Sequence, residues 1–258
     1  RPYTPREDKI ADLARQIAAA RAAMPEQHLV LGHGSGSFGH TAAREHRTRQ
    51  GLSSSEKDRP SRRERYWRGF AEVGYQAARL NRLVMDTLHE ADLPAMVFPP
   101  SACVTAREGK IIAWDLTPLR AALEAGILPV VYGDVVFDEA WSGTILSTEE
   151  LFAYLAREMR PRRLLLAGLE EGVWESFPAR KRLVREITPG SYAAMRERFG
   201  AGTAEGADVT GGMVSKVAHM VSLVRSLPGL EVRIFSGEEE GNVRRALLGE
   251  GLGTVIHA

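Results

Sequence analysis

The chain has 258 residues, with 34 basic and 33 acidic side chains, a formal net charge of +1, and 44% apolar against 26% charged residues. This is the composition of an ordinary globular protein, and its near-neutral charge excludes bulk electrostatic attachment to nucleic acid or to an anionic membrane surface. The single cysteine, Cys103, excludes an intrachain disulfide framework and a cysteine-based zinc site, so a cytoplasmic location is expected, and no run approaches the roughly 20 apolar residues of a membrane-spanning helix.

In chain order, Thr4-Pro5-Arg6-Glu7 reads as a capping box with proline at the first helical position. Ile10, Leu13, Ile17 and Ala20 follow at helical spacing, which predicts a helix over 5–24. His28-Leu29-Val30-Leu31 is a short apolar run suited to a buried parallel strand. The alternation continues with a helix over 63–91, a strand over 95–98, a helix over 117–125 and a strand over 127–132. Ser147-Thr148-Glu149-Glu150 is a second capping box, opening a helix to Met159 ahead of a strand over 163–167. A helix over 211–227, a strand over 232–236, a helix over 242–249 and a strand over 254–257 complete the pattern. Strands alternating with helices of ten or more residues imply an α/β fold with a mostly parallel sheet covered on both faces. Ligands of such sheets bind at the carboxyl ends of the strands. At this length about three-quarters of the unfolded surface can be buried, enough for one large core or two fused lobes.

The first chemical signal lies directly after the first strand, at His33-Gly34-Ser35-Gly36-Ser37-Phe38-Gly39-His40. Glycines and serines at this density permit positive φ and bring backbone N–H groups near a ligand, the make-up of a phosphate-binding concavity. His40 closes the segment with an imidazole that can donate to a phosphate oxygen. No Gly-Lys-Ser/Thr follows, so this is not a Walker A loop. The second signal is Ala207-Asp208-Val209-Thr210-Gly211-Gly212-Met213-Val214-Ser215-Lys216. Here a glycine pair is expected to open a helix whose free N–H groups face outward, with Met213, Val217, Met220 and Val224 on its apolar face. Lys216 lies one turn beyond Gly212, in reach of a polyphosphate. The third is Gly133-Asp134, read as the ligand-facing end of the strand over 127–132.

Residues 42–63, Ser-rich and dense in charge, read either as a solvated loop or as a lid over an anionic ligand. Gly241-Asn242 through Gly253-Thr254 reads as a capped helix, a turn and an edge strand. On the helix over 63–91, Trp67, Phe70, Gly74, Tyr75 and Ala78 recur at spacing three to four. That stripe is either ordinary core or an apolar pocket in which Gly74 leaves room and Phe70 sets the depth. Two phosphate-cradling segments on one sheet suggest phosphoryl transfer, where positioning and charge neutralisation carry the catalysis.

From about residue 3 to the end, these motifs resemble the amino acid kinase superfamily. Within it, His33-Gly34-x-Gly36-Ser37-Phe38-Gly39-His40 is similar to the isopentenyl phosphate kinases. The resemblance implies a three-layer αβα sandwich with a mostly parallel central sheet. An acceptor lobe would occupy about residues 1–150 and a nucleotide lobe about 151–258. The implied reaction is ATP-dependent conversion of isopentenyl phosphate to isopentenyl diphosphate by direct in-line transfer, with Mg2+ accompanying ATP, in a homodimer. His40 and Lys216 would be catalytic, and the prenyl monophosphate would lie on Gly34, Gly39, His40, Gly133 and Asp134. Ser35 and Gly36 would meet the transferring phosphate, while Asp208, Gly211, Gly212, Lys216 and Glu171 would hold ATP. The histidine closing the first segment is shared with the fosfomycin kinases, so a phosphonate kinase is the alternative acceptor reading. A nucleotide-binding regulatory module without catalysis is the other.

Three positions depart from the superfamily pattern. The Lys-x-Gly-Gly strand that opens the family is expected upstream of Arg1. Ser35 stands at the middle glycine of the first segment. Leu169-Glu170-Glu171-Gly172-Val173 retains only the second acid of an acid-x-acid-Gly-Val loop.

Overall fold

The computed structural model describes residues 3–46, 48–52, 58–176, 179–200 and 207–258, and the side chains of His40, Arg44, 196–200 and 207–211 lie outside that description. The chain forms two compact units, Arg1–Ala18 with Pro25–Tyr154, and Ala19–Met24 with Leu155–Ala258. Helices flank parallel-rich sheets in an α/β arrangement, as the alternating pattern leads one to expect.

α1 (Glu7–Ala23), whose residues up to Ala18 belong to the first unit, starts two residues later than the capping box predicts. Its first turn is closed by Ile10 N–H donating to the Arg6 carbonyl at 3.0 Å, which makes Arg6 the N-cap. β5 (Leu128–Tyr132), buried throughout, is the centre of a parallel sheet and pairs with β1 (Leu31–His33) and β2 (Ala95–Val97). β1 lies later than the apolar run 28–31, because pairing with β5 fixes it: Leu31, Gly32 and His33 face Val130, Val131 and Tyr132. Gly32 is required there, since a Cβ would overlap the Phe152 ring on α6 (Thr148–Met159).

Beyond β1 come α2 (Gly36–His46), a 3-10 turn over Thr48–Gln50 and the long α3 (Pro60–Glu90). The inward face of α3 is Tyr66, Phe70, Val73, Ala77, Leu80 and Val84. Tyr75 and Ala78, expected on the apolar stripe, are exposed. Ala42, Leu52, Tyr66, Phe70, Val73 and Val135 form one apolar cluster.

A second sheet, of order β4-β3-β6-β7, was not among the expected elements: β3 (Val104–Arg107), β4 (Lys110–Trp114), β6 (Asp134–Asp138) and β7 (Ser142–Leu146). Two antiparallel hairpins meet through the parallel β3–β6 pair. The first turns on Glu108 and Gly109, at φ 51° and 72°, the twist that matches a two-residue hairpin loop. The short α4 (Pro100–Cys103) and α5 (Thr117–Glu124) complete this unit.

The second unit carries a mixed sheet of order β11-β13-β12-β8. Its strands are β8 (Arg163–Gly168), β11 (Glu186–Ile187), β12 (Glu231–Ser236) and β13 (Thr254–Ile256). β9 (Val173–Trp174) and β10 (Leu183–Val184) form an antiparallel ribbon, and α7 (Pro189–Gly200), α8 (Ala207–Ser226) and α9 (Asn242–Leu247) complete the unit. β13 lies between β11 and β12 and is therefore interior, not the edge strand expected. Its first residue, Thr254, is fully buried; its hydroxyl accepts Val173 N–H at 2.8 Å and donates to the Val184 carbonyl at 2.5 Å, pinning the ribbon to the sheet.

Candidate phosphate-binding site

The glycine-rich segment follows β1, but it is less of a loop than its composition suggests. Only Gly34 and Ser35 separate the strand from α2, which already contains Gly36, Gly39 and His40. Gly39 N–H donates to the Ser35 carbonyl at 3.1 Å, making Ser35 the residue that caps the helix. The positive φ falls on Gly36, at 53°, while Ser35 is not in the left-handed region. The departure at Ser35 is thus absorbed, because the neighbouring glycine takes the conformation that a side chain resists. Gly39 is needed for close approach, since a Cβ there would overlap the Ser35 side chain. The result is a strand–turn–helix corner with backbone N–H groups at a helix start, an arrangement suited to an anion. The His40 side chain lies outside the described residues.

Gly133 and Asp134 come beside this corner, because Gly133 N–H donates to the His33 carbonyl at 3.2 Å. Asp134 is not at an open edge; it begins β6 and is 1% exposed. Its carboxylate accepts Ser101 N–H at 3.1 Å and Val135 N–H at 2.8 Å. Burial raises the carboxyl pKa above the ordinary aspartate value, against hydrogen bonds from Ser101, Val135 and Tyr132. Gly74 approaches the same strand: a Cβ would lie 2.9 Å from Val135 Cγ2 and 3.9 Å from Asp134 Oδ1. Phe70 is buried one turn earlier on α3, against Trp67 and Phe137 at centroid distances of 5.2 and 5.4 Å. Gly34, Ser35, Gly36, Gly39, Phe70, Gly74, Gly133 and Asp134 therefore all belong to the first unit.

The other motif residues belong to the second unit. α8 opens at Ala207, four residues before the expected start, so Gly211 and Gly212 lie within its second turn rather than at its mouth. Helical hydrogen bonding therefore reaches the glycine pair from upstream, and the open N–H groups belong to the first turn, where Asp208 sits. The side chains at Asp208 and Gly211 lie outside the described residues, Gly212 is exposed, and Lys216 is half-buried. The apolar face runs through Val217, Met220, Val221 and Val224. Glu171 is exposed in the bend between β8 and β9. Its neighbour Glu170 accepts from Trp174 Nε1 at 3.1 Å and from Arg180 Nε at 3.0 Å. The adjoining Gly172 sits where a Cβ would meet Thr254 Oγ1 at 2.6 Å.

Of the basic segment, Arg49 pairs with Glu150 at 3.3 Å, and residues 53–57 lie outside the described set. Sequence reasoning assigned no site role to His33, Tyr132, Asn81 or Thr148, yet His33 holds the other three around the β1 terminus. Asn81 left a trace, as an amide within the apolar face of α3.

A parallel-strand α/β chain with this corner falls in a known class. Residues 3–236 match the model of the amino acid kinase family, and the chain belongs to that family. Among its relatives, the isopentenyl phosphate kinase of Methanothermobacter thermautotrophicus is 34% identical, over 93% of this chain and 87% of its own length. That of Haloferax volcanii is 32% identical, over 97% and 92%. A crystal structure of an isopentenyl phosphate kinase superposes with a TM-score of 0.80 at 30% identity, covering 97% of this chain and 91% of that one.

Proposed function

We propose that this protein transfers the γ-phosphoryl group of ATP to isopentenyl phosphate, giving isopentenyl diphosphate and ADP by direct in-line displacement. The observation that carries this reading is the Gly34–His40 corner at the end of β1, whose backbone approach depends on Gly36 and Gly39. Similarity to relatives named isopentenyl phosphate kinase favours a prenyl phosphate over a phosphonate antibiotic as acceptor.

Two phosphates brought into contact repel by about 1 kcal/mol per unit-charge pair at 4 Å in water, and several-fold more where water is excluded. Backbone N–H groups at Gly34, Ser35 and the first turn of α2, whose close packing Gly39 permits, would with the imidazole of His40 offset that charge on the acceptor side. The first turn of α8 with Asp208, then Gly211, Gly212, Lys216 and the bend at Glu171, would hold ATP on the other. The fit to phosphate rests on donors, which both motifs supply from the backbone. Magnesium would arrive on the nucleotide's own phosphates and neutralise part of their charge. Residues of about 1–150 would bind the acceptor and those of about 151–258 the nucleotide, in a cytoplasmic homodimer. Among the described residues, no helix is long and apolar enough to cross a membrane.

The test is a side-by-side measurement of ATP-dependent ADP release by the full-length protein with isopentenyl, dimethylallyl and geranyl phosphates and with fosfomycin. The highest kcat/KM is expected for isopentenyl phosphate. Preference for fosfomycin would assign the phosphonate reading, and ATP binding without turnover on any acceptor would assign the regulatory one.

A further inference from the structure

His33, the first residue of the glycine motif, is fixed from several directions within the first unit. Its carbonyl accepts the Gly133 N–H at 3.2 Å and the Thr148 hydroxyl at 2.7 Å. Its ring stacks on Tyr132, with centroids 5.5 Å apart and planes 10° from parallel. Ring Nδ1 lies 3.0 Å from the Gly34 carbonyl oxygen, and Nε2 lies 3.1 Å from Oδ1 of Asn81, which is itself only 6% exposed.

A ring facing two acceptors would have to donate from both nitrogens, which only imidazolium does. Burial opposes that charge and pushes the His33 pKa below the ordinary histidine value, with the bonds to Gly34 and Asn81 pulling the other way. The two partners are not equivalent. The Gly34 oxygen can only accept, so an Nε2–H tautomer would set the bare Nδ1 lone pair against it at 3.0 Å. The Asn81 amide can do either, because a half-turn about its last bond presents Nδ2 as donor in place of Oδ1. One neutral arrangement satisfies every group: Nδ1–H donates to Gly34, and Asn81 Nδ2–H donates to Nε2.

That arrangement has a consequence for the ligand side of the corner. In a trans peptide the C=O and the following N–H point in opposite directions. A Gly34 carbonyl held toward the His33 ring therefore turns the Ser35 N–H away from it. We infer that neutral His33, protonated on Nδ1 and buttressed by Asn81, is a positioning residue that locks the Gly34–Ser35 peptide so that the Ser35 N–H faces the bound phosphate. The identity of that phosphate rests on the function proposed above, whereas the state of the ring does not.

The experiment pairs a spectrum of the native protein with kinetics of two variants. In two-bond 1H–15N correlation spectra of histidine-labelled full-length protein at pH 7, His33 is expected as the neutral Nδ1–H tautomer. An imidazolium or an Nε2–H tautomer overturns the inference. His33→Phe keeps a ring against Tyr132 but has no donor, and should lower kcat/KM for phosphoryl transfer by about tenfold or more, approaching the roughly 10²-fold loss of a site donor removed outright. His33→Gln, whose amide can donate to Gly34, should recover part of that loss at similar thermal stability. A fully active His33→Phe, or His33→Gln no better than a folded His33→Phe, also overturns it. Should His33→Phe fail to fold, the native spectrum and His33→Gln still decide. A native protein that shows no transfer to isopentenyl phosphate contradicts the functional reading, and the tautomer then stands or falls by its own signal.

Discussion

Phe70 occupies space that a neighbouring residue leaves open. A Cβ at Gly143 would lie 2.6 Å from Phe70 Cε2, so the ring fills the room of the missing side chain. It also packs against Tyr66, Trp67 and Phe137, at centroid distances of 6.2, 5.2 and 5.4 Å. Replacing it by alanine removes these contacts and is expected to cost about 3–5 kcal/mol of stability. If the same space bounds the acceptor's tail, Phe70→Ala should also raise kcat/KM for geranyl phosphate relative to isopentenyl phosphate. An unchanged ratio would take Phe70 out of the pocket and leave it as core. At this scale the sequence reveals residue type more readily than orientation. Gly36 and Gly39 were legible as backbone requirements because few other demands select glycine at such density. Asp134 was not legible as buried, because nothing in Gly133-Asp134 says that the next strand starts at once. The partnership of His33 with Asn81 spans 48 residues, and only the tertiary fold brings α3 and the β1 terminus together.

Between elements, Asp138 joins the two hairpins. It is 3% exposed and accepts four backbone N–H groups, from Glu108 at 3.1 Å, Gly109 at 2.8 Å, Ala140 at 2.9 Å and Trp141 at 2.8 Å. Burial alone would raise its pKa, but the four donors together outweigh burial and hold the carboxyl below the ordinary aspartate value. A depressed folded-state pKa contributes stability that is present above the unfolded value near 3.9 and is lost as pH falls through the folded one. Asp138→Asn should therefore lower stability by about 2–4 kcal/mol at pH 7, and its acid limb below about pH 4 should be shallower than that of the native protein. Chemical denaturation across that pH range measures both, and superimposable acid limbs would contradict this role for Asp138. The hairpins escaped the sequence reading because β4 buries only its last residue fully, so alternation is weak, although Glu108-Gly109 was a turn signal. Elements with strong caps or long periodicity were legible. In α6, Ser147 N–H donates to Glu150 Oε2 at 2.6 Å and Glu150 N–H to Ser147 Oγ at 3.2 Å, as the capping box implied. The start of α8 was not, because a glycine pair costs a helix about 1 kcal/mol per residue and reads as a boundary. Here the helix runs through it.

Over the whole molecule, each unit supplies one of the two glycine motifs, the first directly after β1 and the second in the opening turns of α8. The near-neutral charge, +1 over 258 residues, means that attraction for phosphates must be local, built from oriented N–H groups and a few side chains rather than from a basic surface. The α/β class was legible from the alternation of apolar runs with amphipathic stretches. The placement of β13 inside its sheet was not, since strand order depends on contacts far apart in the chain. The most direct measurement is a 31P spectrum of the full-length protein with Mg-ATP and isopentenyl phosphate followed over time. The expected result is the coupled pair of doublets of isopentenyl diphosphate growing in step with ADP, one for one. ATP left intact, or ADP appearing with inorganic phosphate while isopentenyl phosphate persists, would contradict the account.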